Sequence, residues 1–127
     1  MKAEAQNWLQ LAKEAYEDCL YLFAGARHPA AVYFMGQALE KLLKAAQIEI
    51  RDTVPQKIHD LRVLARKSGL EFSDTQYAAL KRIGSHYNNV RYRDLQKTHF
   101  DTKAKVEPII NQGQKLFLWI LQTLENR

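Results

Sequence analysis

The sequence has few of the residues that build cross-links, metal sites or membrane spans. Cys19 is the only cysteine among 127 residues, which excludes an intrachain disulfide and a CxxC metal site. The five glycines are scattered singly and form no phosphate-cradling loop, and the four histidines lack the spacing of metal ligands. No apolar run approaches the roughly 18 residues of a membrane helix, and the N-terminus lacks the apolar core of a signal peptide. We therefore expect a cytoplasmic protein with no membrane contact, no metal and no other cofactor.

The net charge of +5 is concentrated in one segment of the chain. Residues 81–105 contain seven basic and only two acidic side chains, so the rest of the protein is neutral on balance. The basic side chains are Lys81, Arg82, Arg91, Arg93, Lys97, Lys103 and Lys105. Such a concentration favours an anionic partner such as phosphate, RNA or an acidic protein. The alternative is a basic loop that is simply solvated.

The hydrophobic pattern is helical throughout, with no alternation typical of strands. The first stripe comprises Trp8, Leu11, Ala12, Ala15, Cys19, Leu22 and Phe23, and Gly25 ends this helix. The second helix runs from Pro29 to about Ile50 and is apolar over more than half of its circumference. It is therefore either the central helix of a bundle or one that also lies in a subunit interface.

Three further helices are predicted downstream. A short helix spans Ile58 to Ser68 and is closed by Gly69, and Ser73 with Gln76 forms a capping box that opens the fourth helix. We expect the fourth helix to fray at Asn88–Asn89, followed by a loop over residues 90–102. The last helix carries Val106, Ile110, Gly113, Phe117, Ile120, Leu121 and Leu124, with Pro108 either in its first turn or at a kink. Residues 1–127 thus form one domain, an all-α antiparallel up-and-down bundle of about five helices, four long and one short.

Four motifs in this order resemble the HEPN domain family (higher eukaryotes and prokaryotes nucleotide-binding). They are Trp8-Leu9-x-x-Ala12 with Tyr16-Glu17-Asp18, then Gln37-Ala38-Leu39-Glu40-Lys41-Leu42-Leu43-Lys44-Ala45, then His59-Asp60-Leu61, and finally Arg91-Tyr92, where many members read Arg-Tyr-Pro. The resemblance spans nearly the whole chain and implies a single HEPN-like helical domain.

The same residues also allow simpler interpretations. The polar residues of the second helix are Gln37, Glu40, Lys41 and Lys44. Their i, i+3, i+4, i+7 spacing puts them on one face, which predicts a solvated face with an i,i+4 pair. His59-Asp60 predicts the N-cap of the short helix. The alternative for His59 is a histidine that contacts a nucleotide.

Catalytic members of the family share an Arg-x4–6-His motif. The resemblance implies that this motif serves RNA cleavage without a metal ion. Arg93 and His99 fit this pattern with five intervening residues, whereas Arg91, which matches the family's Arg-Tyr-Pro, is separated from His99 by seven. A histidine can accept the proton of a ribose 2′-OH and an arginine can stabilise charge on the phosphate. The predicted catalytic residues are therefore His99 with Arg93 or Arg91. The predicted nucleotide- or RNA-binding residues are His59, Arg91, Tyr92, Arg93, Lys97 and Lys103.

Several functions remain open at this level. The first hypothesis, which the resemblance implies, is a metal-independent RNA endonuclease. The resemblance also implies that the protein forms a homodimer and pairs with a minimal nucleotidyltransferase in a toxin–antitoxin-like system. Toxin-type members carry a tyrosine two residues beyond the histidine, where the partner attaches AMP, but this chain has Asp101 there. The second hypothesis is a module that binds nucleotide, RNA or the nucleotidyltransferase without catalysis. The third is a basic protein–protein adaptor.

Overall fold

A computed structural model describes residues 1–91, 100 and 102–127. These residues form five α-helices and no strand: α1 (Ala3–Ala24), α2 (His28–Ala46), α3 (Leu61–Ser68), α4 (Asp74–Arg91) and α5 (Lys103–Glu125). A π-helical turn, Gln47–Arg51, continues α2. Four helices are long and α3 is short, which confirms the all-α helical bundle predicted from the sequence. In the part of the chain that the structure describes, no helix combines the length and apolarity needed to cross a membrane.

Helix α2 is the central element of the bundle. It packs against α1, α3, α4 and α5, and twelve of its nineteen residues are buried. Its wide apolar surface is therefore covered by other helices of the same chain. This confirms the central-helix interpretation and removes the need for a subunit interface on α2.

The buried stripe of α1 differs from the predicted one. The buried residues are Ala5, Leu9, Ala12, Ala15 and Cys19. Leu11, for which the sequence predicts a place in the core, has 44% of its surface exposed. The helix ends before Gly25, whose N–H donates to the carbonyl of Tyr21, but the left-handed residue that the sequence predicts at Gly25 is instead Ala26, at φ +60°.

The boundaries of α3 and the start of α4 follow from local capping. The Asp60 carboxylate accepts hydrogen bonds from the amides of Arg62 (2.9 Å) and Val63 (3.4 Å), so α3 begins at Leu61, three residues later than predicted. Gly69, at φ +86°, ends α3 in the left-handed conformation. The capping box at α4 is confirmed: the Ser73 hydroxyl accepts from the Gln76 amide (3.1 Å), and Gln76 Oε1 accepts from the Ser73 amide (2.9 Å).

The end of α4 differs from the prediction, whereas α5 begins at Lys103, directly after the predicted loop. The predicted fraying at Asn88–Asn89 is wrong, because α4 continues to Arg91 with Val90 buried in the core. Thr102 caps α5 by accepting from the Lys105 amide. Pro108 is the sixth residue of α5 and so lies in the second turn rather than the first.

Candidate nucleic-acid interface

A charged pair lies inside the bundle, on the polar stripe of α2. Glu40 and Lys44 are only 4% and 5% exposed, and the Lys44 Nζ is 3.2 Å from Glu40 Oε2. The prediction of a solvated face is therefore wrong for both residues. The physical reason is that α2 is covered on most sides, which leaves little of its circumference for solvent. A buried charge needs such a partner because its transfer from water is costly.

Tyr87 of α4 connects this pair to the rest of the bundle. Its side chain is fully buried, and its hydroxyl donates to Glu40 Oε1 at 3.0 Å while accepting from Gln37 Nε2 at 2.5 Å. The Tyr87 ring lies against the α2 backbone at Gly36, where a Cβ atom would overlap it. Gly36 therefore permits the close approach of α2 and α4 that buries Tyr87.

Burial raises the pKa of the Tyr87 hydroxyl, and the neighbouring Glu40 charge and hydrogen bond raise it further, with a smaller opposing effect from Arg91. The hydroxyl consequently stays protonated across the physiological range. It can therefore act as a permanent hydrogen-bond donor to the Glu40 carboxylate, which fixes the orientation of the ring.

The oriented Tyr87 ring supports Arg91 at the end of α4. The guanidinium carbon of Arg91 lies 5.6 Å from the ring centroid, in a cation–π arrangement, and the residue is exposed to solvent. Arg91 is thus held at the surface where α4 ends.

Phe100 is attached to the same part of α4. Its side chain is 2% exposed, and its ring meets that of His86 edge-on with centroids 5.9 Å apart. Phe100 therefore anchors the chain to the bundle. Since His86 and Tyr87 are consecutive, Arg91 and Phe100 both contact the same turn of α4 although they are nine positions apart in sequence.

The network extends to His59 and Trp8. His59 Nδ1 is 3.0 Å from Glu40 Oε1, and the His59 side chain is about half exposed. The Lys44 Nζ lies 5.3 Å from the centroid of a Trp8 ring. Three of the motifs that carry the HEPN resemblance, around Trp8, Glu40 and His59, therefore meet at one buried cluster. We call Gln37, Glu40, Lys44, His59 and Tyr87 the polar cluster.

The predicted site residues fall into three groups. His59 belongs to the polar cluster and Arg91 contacts it through Tyr87, so the structure brings them to one region. Lys103 is exposed in the first turn of α5, 3.7 Å from Glu107. The predictions for Tyr92, Arg93, Lys97 and His99 lie outside the described residues.

Sequence reasoning missed Glu40, Lys44 and Tyr87 as members of a buried cluster. The usable signal was the width of the apolar surface of α2, because a helix surrounded by neighbours cannot keep every polar residue in solvent. Among residues 1–91, 100 and 102–127, no three His, Cys, Asp or Glu side chains converge on a possible metal position. Burial raises the pKa of the Cys19 thiol to about 12, so this residue is a poor nucleophile.

Comparison with known proteins assigns the fold to a family. The family model of the HEPN domain matches residues 5–124. The crystal structure of TT1696 from Thermus thermophilus is similar with a TM-score of 0.82 at 20% identity, covering 95% of this chain and 98% of that one. An archaeal HEPN homologue, ST0689, gives a TM-score of 0.71 at 18% identity, covering 97% and 98%. No functionally curated protein matches the chain. The chain belongs to the HEPN domain family.

Proposed function

We propose that this HEPN protein binds RNA and cleaves it without a metal ion, as part of a toxin–antitoxin-like pair with a minimal nucleotidyltransferase. Family membership supports a nucleotide-binding or ribonuclease-type module. The observation that carries the proposal is the attachment of Arg91 and Phe100 to one turn of α4, at Tyr87 and His86. In this proposal His99, which is covalently joined to Phe100, acts as the base close to Arg91.

The proposed reaction uses the RNA's own 2′-hydroxyl as the nucleophile. His99 accepts the 2′-OH proton while the 2′-oxygen attacks the adjacent phosphorus, and the bond from phosphorus to the 5′-oxygen breaks. The products are a 2′,3′-cyclic phosphate and a 5′-hydroxyl, which takes up a proton. Arg91 or Arg93 stabilises the charge that develops on the phosphate oxygens. No metal ion is required by this chemistry.

RNA binding is expected to depend on charge in the basic segment. Replacing Arg91, Arg93, Lys97 and Lys103 together with glutamine should abolish measurable binding. The wild-type affinity should fall steeply as salt rises, because each phosphate contact on a single strand contributes about 0.7 to the slope of log K against log salt. Fluorescence anisotropy with a labelled single-stranded RNA measures both quantities.

A matched control removes the same number of charges elsewhere on the surface. The control replaces four exposed cations outside the segment: Arg27, Arg51, Lys115 and Arg127. This variant should retain RNA binding. Equal binding by the basic-segment variant and the wild type would show that residues 81–105 are merely solvated.

The proposal includes a homodimer in which two basic segments form one composite cleft. The apolar surface of α2 that favoured a dimer is buried within the chain, so the support that remains is the family resemblance and the exposed apolar side chains of α1 and α5, namely Leu11, Tyr21 and Leu118. Light scattering at tens of micromolar protein should give the mass of two 14.8 kDa chains. The mass of one chain would contradict the composite cleft.

A second candidate is a module that binds RNA or the nucleotidyltransferase without cleaving. Two departures from the family pattern favour it: seven residues rather than four to six lie between Arg91 and His99, and Asp101 replaces the tyrosine that accepts AMP. RNA that is bound by the wild type but stays intact in prolonged incubation would select this alternative.

A further inference from the structure

A pocket of about 260 Å³ lies between the start of α3 and one face of α4. Arg62 of α3 and Lys81 of α4 both line it, so two cations reach the same space from different helices. Ser85 and Asn88 line it as well. They follow Lys81 by four and seven residues, which places all three on one face of α4. The wall of the pocket thus combines two positive charges with two hydrogen-bonding side chains.

One carboxylate, that of Asp60, also lines this α3–α4 pocket. Its Oδ1 accepts from the amides of Arg62 and Val63 at the start of α3, and the Nε of Arg62 lies 3.9 Å away. The Asp60 charge is therefore largely engaged by the helix that it caps. Two cations against one capped carboxylate leave the pocket positive.

The position of the pocket relates it to the basic segment. Asn88 precedes Arg91 by three residues, about one helical turn, and Lys81 precedes Arg91 by about 15 Å along the axis of α4. A bound chain that contacts Arg91 can therefore continue along α4 towards α3. Neighbouring Arg82 does not share this face, since its Nε is directed at Gln112 Oε1 of α5, 3.4 Å away.

We propose that the α3–α4 pocket binds a phosphodiester of the RNA substrate, at a distance from the scissile phosphate. Arg62 and Lys81 supply the charge, and Ser85 and Asn88 supply hydrogen bonds. This inference rests on the proposed function and adds a path for the substrate. It extends the RNA contact of one protomer from the basic segment, to which Lys81, Ser85 and Asn88 belong, to Arg62 at the start of α3.

The first test compares charge removal in the pocket with the removal of two charges elsewhere. The double variant Arg62→Gln/Lys81→Gln should bind single-stranded RNA about tenfold more weakly, with the salt slope lowered by about 0.7 for the lost phosphate contact. The control Arg27→Gln/Lys115→Gln removes two exposed cations outside the basic segment and should change the affinity by less than about twofold. An unchanged affinity and slope in the double variant would overturn the proposal.

The second test uses a substitution that is expected to strengthen RNA binding. Asp60→Asn keeps a good N-cap residue but removes the only carboxylate among the described residues that line the pocket. RNA binding should therefore strengthen several-fold while α3 stays intact by circular dichroism. Weaker or equal RNA binding by this variant would count against a phosphate in the pocket.

The third test separates this proposal from the proposed function by using inorganic phosphate as the probe. Adding phosphate at low salt should shift the amide resonances of Arg62, Lys81, Ser85 and Asn88 in the wild type, and not in Arg62→Gln/Lys81→Gln. If wild-type protein binds no RNA, the proposed function fails, and so does the assignment of the pocket to RNA. If RNA binds but phosphate leaves these resonances unmoved, only the pocket proposal fails.

Discussion

Replacing His99 with alanine is expected to slow RNA cleavage by about 10²–10⁴-fold, the usual contribution of a general base. The physical reason is that the 2′-hydroxyl then has no group to accept its proton as it attacks the phosphorus. Cleavage of a labelled RNA under single-turnover conditions measures the rate. Circular dichroism should show an unchanged helix content, because the buried neighbour Phe100 still anchors the chain to α4.

The controls for this prediction address the metal and the product. The wild-type rate should not change when a chelator is added, and the product should carry a 2′,3′-cyclic phosphate. Undiminished cleavage by His99→Ala, or loss of wild-type activity in the chelator, would contradict the assignment of His99 as the base.

The same assay assigns the arginine. Arg91→Ala and Arg93→Ala can be compared directly, and the residue that contacts the scissile phosphate should cause the larger loss of rate. The fold gives Arg91 a defined support on Tyr87. Tyr87→Phe keeps the ring under Arg91 but removes the hydroxyl that donates to Glu40. This variant therefore shows whether Arg91 needs only the aromatic ring or also the hydrogen bond that orients the ring.

Local patterns along the chain predicted the fold because helices are specified mostly by neighbouring residues. The capping box at Ser73 and Gln76 is an interaction between residues three apart, and Gly69 ends α3 through its own backbone conformation. Each of these signals is complete within one helical turn. The N-cap predicted at His59-Asp60 is confirmed at Asp60, so the predicted start at Ile58 was three residues too early.

The errors occurred where tertiary neighbours decide the outcome. Glu40 and Lys44 have the spacing of a surface ion pair, and only the packing of other helices against α2 makes them buried. The end of α4 was placed too early because the burial of Val90, which extends the helix, is not visible in the polar Asn88–Asn89 sequence. Burial of a polar residue is a property of the assembled bundle.

Spacing along the chain does not by itself decide which residues of the candidate site contact the same helical turn. Arg91 and His99 appear too far apart for the family's motif, with seven residues between them. The structure shows that Arg91 and Phe100 rest on consecutive residues of α4. An arginine outside the usual spacing can therefore still share a helical turn with the residue that follows the histidine.

Removing the acceptor at the centre of the polar cluster is expected to have the largest effect on stability. Glu40→Ala should lower the free energy of unfolding by about 3–5 kcal/mol, because Lys44 is left as an unpaired buried charge. The hydroxyl of Tyr87 and the Nδ1 of His59 lose the same carboxylate, which adds to the loss. Urea unfolding followed by circular dichroism measures the change.

Two further variants test whether the unpaired charge is the cause. Lys41→Ala, one residue from Glu40 but only partly buried, should cost less than about 1 kcal/mol because it leaves no buried charge unpaired. Glu40→Leu/Lys44→Leu removes both charges and should be more stable than Glu40→Ala, since an apolar pair can replace a buried ion pair at little cost. If the double variant were as unstable as Glu40→Ala, the loss would come from packing around Tyr87 instead.

Because Tyr87 also supports Arg91, the stability of this cluster and the presentation of the proposed phosphate-binding arginine depend on the same carboxylate.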